Sequence, residues 1–121
     1  MGSAMRRGDV VWVDLEPVRG NEADKHRPAV VVSNDRANAA AARLGRGVVT
    51  VVPLTRNTAR VYPFQVLLRA ADTGLEVDSK AQAEQVRSVS IERVGRPVSR
   101  LPADLISALD DALRLHLQLQ P

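Results

Sequence analysis

The 121-residue chain contains no cysteine. That excludes a disulfide framework, a thiol nucleophile and any cysteine-held zinc, and it suits a reducing cytoplasm. No apolar run is long enough to span a bilayer, and no charged start leads into a hydrophobic signal core, so the chain reads as soluble, unexported and without a membrane partner. Histidine is limited to His26 and His116, far apart in the chain, which argues against a paired-histidine acid/base mechanism. Trp12, Tyr62 and Phe64 make up the 2% aromatic content, too little for a broad stacking platform to be the main mode of nucleobase recognition. Lysine is nearly absent as well: Lys25 and Lys80 are the only two among 17 basic residues.

The hydrophobic content of 45% is enough for one compact core and leaves room for one site per chain. Met1 to Ala4 has the look of a cloning remnant, with the natural protein beginning at Met5 or Arg6. Residues 1–5 are therefore set aside and 6–121 read as one domain. The net charge is only +3, but its carriers are arginines, whose planar forks match phosphate oxygens and fit a polyanionic partner. A GC-rich genome produces the same bias, so charge supports nucleic-acid binding only mildly.

Asp9 to Leu15 is β-branched and aromatic, too short for a helix, and ended by Glu16-Pro17: a strand. Glu16 to His26 has neither period and reads as a long surface loop. Arg27 to Ser33 is nearly continuously apolar, a strand buried on both faces with Pro28 tolerated at its start. Asn34 and Asp35 suit the cap of a short helix over Arg36 to Leu44, stopped by Gly45-Arg46-Gly47. Further strands are expected at Val48 to Pro53, Pro63 to Leu68, Ser79 to Ala83, Val86 to Ser90 and Arg93 to Val98. A second loop runs from Leu54 to Tyr62, and Asp72-Thr73-Gly74 reads as a turn. The clearest helix is Pro102 to Leu119, with Pro102 at its first position and Leu105, Leu109, Ala112, Leu113 and His116 on one face. Together these describe an α+β domain: a small, strongly bent antiparallel β-sheet or barrel with a C-terminal α-helix.

Four segments in fixed order resemble one family. Arg7-Gly8-Asp9-Val10-Val11-Trp12-Val13-Asp14-Leu15 resembles its opening strand, and Gly20-Asn21-Glu22 with Lys25-His26-Arg27-Pro28-Ala29-Val30-Val31-Val32 its Gly-x-Glu loop and Arg-Pro strand. Val51-Val52-Pro53-Leu54-Thr55 and Glu84-Gln85-Val86-Arg87-Ser88-Val89 complete the set. Singly these are weak; their order and spacing point to the MazF/PemK toxins. The resemblance implies a CcdB/MazF-like plasmid-maintenance-toxin fold, a homodimer and an acidic antitoxin whose disordered segment blocks the RNA groove. It also implies sequence-specific, ribosome-independent cleavage of single-stranded RNA to 2′,3′-cyclic phosphate and 5′-hydroxyl ends, inhibiting translation.

Cleavage through the RNA's own 2′-hydroxyl calls for a base, an acid and positive charge on the phosphorane, with no metal and no cofactor. By the resemblance, Arg27 holds phosphoryl oxygens from a strand end; read alone, it would pair with a local carboxylate. Thr55 beside it would donate a hydroxyl, although a threonine there also suits a turn. Glu84 is the third catalytic candidate, as proton acceptor or as a structural partner of Arg87; an arginine that some relatives carry two positions earlier is Gln82 here. Gln85 and Arg87 suit phosphate or base edges, and Glu22 suits RNA orientation, proton transfer or plain solvation. Asn21, Arg56, Asn57 and Arg60 are expected to supply polar contacts to bases. His26 reads as a bystander, His116 as helix packing or capping, and Trp12 as core or dimer contact. Two other functions compete: a CcdB-like toxin that traps gyrase without cutting, and a nonenzymatic RNA-binding barrel.

Overall fold

Valine-rich strands dominate the first half of the chain, and in the computed structural model, which describes residues 5–15 and 26–120, they form the middle of an antiparallel sheet. The elements are β1 (Asp9–Asp14), β2 (His26–Val31), α1 (Asp35–Leu44), β3 (Val48–Thr55), β4 (Gln65–Leu68), α2 (Ala70–Thr73), β5 (Ser79–Gln82), β6 (Arg87–Ser90), β7 (Val94–Arg100) and α3 (Ala103–Leu117). Seven strands run in the order β4-β5-β3-β2-β1-β7, with β6 also paired to β3.

Period-two alternation splits the buried residues between the two faces. Val10 lies opposite Val30, and Val30 opposite Val52, a row that joins Leu54, Leu68 and the α3 residues Leu109, Ala112 and Leu113 in one core. The neighbouring positions Val11, Val13, Ala29, Val31, Val49 and Val51 face the other way, into a core that includes Ala41 of α1. The β2 run is therefore buried on both faces, as its unbroken apolar character predicts. Met5, set aside with the remnant, packs in this second core.

The sheet bends at β3. Val48 to Val51 pair with Ser90 to Arg87 of β6, whereas Leu54 and Thr55 pair with Ala81 and Lys80 of β5. A single 3-10 turn, Ala83–Gln85, carries the chain from one partner strand to the other.

Helix boundaries follow local chemistry. Asn34 Oδ1 accepts from the Ala37 amide at 2.8 Å, and Gly45 ends α1 at φ 67°, where a side chain would be strained. The expected turn at Asp72-Thr73-Gly74 is instead the end of the short helix α2, closed by Gly74. Pro102 is the N-cap of α3, not its first helical residue, and accepts from the Leu105 and Ile106 amides. His116 shares the stripe of Leu109 and Leu113 but is exposed, as are all the described residues from Arg114 on, Leu115 and Leu117 among them. Among the described residues no helix is long and apolar enough to cross a membrane.

The opening Arg-Gly-Asp is a clasp. Arg7 reaches Asp110 of α3 at 2.7 Å and the Val32 carbonyl at 2.9 Å, and Asp9 accepts from Arg100 of β7 at 2.9 Å. Gly8 sits between them at φ +95°, and a Cβ there would lie 2.5 Å from Ile106 Cδ1. Gly8→Ala is expected to cost about 1–3 kcal/mol from backbone strain and crowding. Chemical denaturation checks this, and an unchanged midpoint would refute the clasp's dependence on glycine.

Candidate active site

The row Val10, Val30, Val52 continues past the stretch that α3 covers. There Trp12 lies opposite Pro28, and Leu54 follows Val52, forming the floor of an open groove of about 690 Å³. Leu75, Glu76 and Val77 from the α2–β5 connection line it, as do Arg96, Pro97 and Val98 of β7. Its floor is apolar, while its charged groups are mostly basic: Arg27, Arg56 and Arg96 against the single carboxylate Glu76 among the described lining residues.

Arg27 is exposed at the start of β2, on a strand held from both sides, so its backbone is fixed while its guanidinium stays in solvent. No carboxylate among the described residues forms an ion pair with it. Thr55 ends β3 in the same groove, and its Oγ1 accepts from the Asn57 amide at 3.2 Å. That bond uses a lone pair and leaves the hydroxyl proton free to point at a bound oxygen. Asn57 Oδ1 in turn accepts from the Ala59 amide, which commits its side chain to shaping the loop.

The structure thus brings Arg27, Thr55 and Arg56 together, but not Glu84 with them. Glu84 lies on the 3-10 turn, outside the groove's lining. Its Oε2 accepts from Gln65 Nε2 at 2.8 Å, and its Oε1 is buried with no partner among the described residues. Gln85 and Arg87, both exposed, are also absent from the lining. Asn21 and Glu22 lie outside the described residues, as does most of the expected loop from Glu16 to His26. Trp12 is only half-buried and lines this groove and a second one of about 430 Å³ with Asp14, Glu92 and Arg93. His26, expected as a bystander, lines both. Glu76, Ser79 and Arg96 escaped sequence reasoning: they stand in no motif, and only the curvature of the sheet carries them to the site.

A family model described as PemK-like, MazF-like toxin of type II toxin-antitoxin system matches residues 6–117. The chain belongs to the PemK/MazF-like toxin family. It is 65% identical over 115 residues to endoribonuclease MazF9 of Mycobacterium tuberculosis, covering 95% of this chain and 98% of that one. MazF of Deinococcus radiodurans superposes with a TM-score of 0.74 at 28% identity, over 96% of this chain and 98% of that one. A chain of a MazE-MazF structure from the same organism gives 0.74, also at 28% identity, over 98% and 99%. The CcdB/MazF-like fold expected from the motifs is the one observed, and the groove lies between segments that carried the PemK/MazF resemblance.

Gln65, 8% exposed, links two parts of this toxin: its Oε1 accepts from the Tyr62 amide at 3.1 Å while its Nε2 donates to Glu84. Gln65→Leu would leave Glu84 with both carboxylate oxygens lacking a donor, at a cost of about 2–3 kcal/mol in stability. Urea unfolding of the two proteins measures it, and a difference below about 0.5 kcal/mol would show the contact to be dispensable.

Proposed function

We propose that this toxin is a metal-independent, ribosome-independent endoribonuclease that cuts single-stranded RNA in the Arg27/Thr55 groove. The convergence of those two residues in one open, basic groove is the observation that supports the reading most directly. The RNA's 2′-oxygen attacks the adjacent phosphorus, the bond to the 5′-oxygen breaks, and the products are a 2′,3′-cyclic phosphate and a 5′-hydroxyl. Arg27 places its fork on the phosphoryl oxygens as charge accumulates there, and the Thr55 hydroxyl donates to the same group. Proton removal from the 2′-hydroxyl falls to a carboxylate, Glu76, which lines the groove, or Glu22, on the segment leading to Arg27, and the departing 5′-oxygen takes its proton from solvent, to which the groove is open. Glu84 acts at one remove, holding Gln65 and through it the β3–β4 loop.

The toxin works as a homodimer in the cytoplasm, silenced by an acidic antitoxin. Exposed Leu115, Leu117 and Leu119 at the end of α3 offer apolar surface for self-association. A groove carrying three exposed arginines accepts carboxylates as readily as phosphates, so a disordered acidic segment folding into it would displace RNA. The related MazE-MazF structure from Deinococcus radiodurans supports a partner of this kind.

Purified protein incubated with a mixed RNA pool in EDTA is expected to produce site-specific cuts with cyclic-phosphate ends. Arg27→Ala should lower the rate about 100-fold or more with normal folding. Intact RNA from folded wild-type protein would sink the nuclease reading in favour of gyrase trapping or simple RNA binding. Comparing Glu22→Gln, Glu76→Gln and Glu84→Gln assigns the base: the first or second is expected to fall about 100-fold and the third only a few fold. A dominant loss in Glu84→Gln would reverse that division.

A further inference from the structure

Two of the three aromatic side chains converge next to the groove, on the β3–β4 loop. The Tyr62 and Phe64 rings are parallel, 1° apart in plane, with centroids 5.3 Å apart. Arg60 Nη1 donates to the Tyr62 hydroxyl at 3.1 Å, and its guanidinium carbon lies 5.6 Å from the ring centre. Despite these neighbours Tyr62 remains 41% exposed.

The cluster is held from below by a buried base. Lys80 is 7% exposed and pairs with Thr55 in the β3–β5 register, so both side chains leave the same face of the sheet. Its Nζ donates to the Arg60 carbonyl at 2.6 Å and lies 6.0 Å from the centre of the Tyr62 ring. Gln65 fixes the other end of the cluster through the Tyr62 amide, at 3.1 Å. A loop meant only to connect two strands has no need of a buried ammonium and a buried amide to hold an exposed tyrosine still. It begins at Arg56, which lines the groove beside Thr55, and Lys80, the register partner of Thr55, lies under the Tyr62 ring, so the rings stand within reach of a strand bound at Thr55.

We infer that Arg60, Tyr62 and Phe64 form a subsite that stacks one unpaired nucleobase of the substrate RNA flanking the cut, with Lys80 and Gln65 as positioning residues. This rests on the nuclease reading of the groove and adds a site to it. Every base offers a π-face, so the subsite grips without choosing among bases, while the guanidinium adds attraction for the ring and its phosphate. The subsite is small, which reconciles it with a composition too poor in aromatics for a broad platform.

The test is a short single-stranded RNA with 2-aminopurine moved through each position and a 2′-deoxy sugar at the mapped cut, so that binding is read without cleavage. Base stacking quenches the probe. Wild type and Tyr62→Phe should quench it at one shared position, and Tyr62→Ala should not, with KM for the cleavable RNA rising about 10- to 100-fold and kcat little changed. An abasic residue at that position should weaken wild type by a similar factor and leave Tyr62→Ala unaffected. Equal quenching in Tyr62→Ala, or abasic and tyrosine losses that add in full, would overturn the subsite. Arg27→Ala separates the two readings, since it should abolish cutting while the quenching persists. Should wild type cut nothing, the same scan is run on oligouridine carrying the probe, where position-independent fluorescence in all three proteins refutes the subsite on its own.

Discussion

The whole arrangement depends on β3 being buried on both faces and bonded along both edges. Val52 and Leu54 enter one core while Val49 and Val51 enter the other, and β2 takes one edge while β6 and then β5 take the other. A strand constrained in this way cannot slip by one residue without turning its valines into solvent and its polar residues inward. Thr55 at its end is therefore fixed by hydrophobic burial several residues away. The same applies to Arg27, whose strand is locked by Ala29, Val30 and Val31.

That division of labour explains where polar groups are exposed. The proposed reactive side chains occupy strand ends, Arg27 at the start of β2 and Thr55 at the end of β3, next to residues packed in the two cores, so on that reading precision comes from the core and chemistry from the rim. The clasp of Arg7, Gly8 and Asp9 has the complementary job. It ties the start of β1 to α3 and β7 and lies outside the groove's lining, so the first three residues of that family motif serve packing while its Trp12 reaches the groove.

What could be read from the sequence followed from rules that act locally. The double burial of β2 is written in an unbroken apolar run, and the limits of α1 in an asparagine cap and a glycine stop. The antiparallel α+β class came from strand lengths and the final helix. Arg27 and Thr55 came from their motifs, and the groove that contains both is a property of the sheet. The unread parts depend on contacts between residues distant in the chain. Helix α2 is a single turn with no periodicity to detect, and the exposure of His116 reflects burial on α3 stopping after Leu113, which periodicity alone does not show. Lys80 looks like a surface residue until the register sets it opposite Thr55 under a carbonyl of the next loop. Glu84 reads as an acid or as a structural partner of Arg87, and its hydrogen bond to the distant Gln65, set by the 3-10 turn, has no signal in the sequence.

Lys80 and the arginines of the groove consequently have different standing. An ammonium can be buried against a carbonyl and a ring, as Lys80 is, because its three donors are compact and need no plane. A guanidinium fork needs two oxygens side by side, so Arg27, Arg56 and Arg96 are of most use left in solvent around an apolar floor. Phosphate and carboxylate both present such oxygen pairs. A groove built to grip the first is open to competition from the second, and on the proposed reading inhibition by an acidic partner needs no additional site. On that reading the geometry that makes the toxin active is also the one that lets it be silenced.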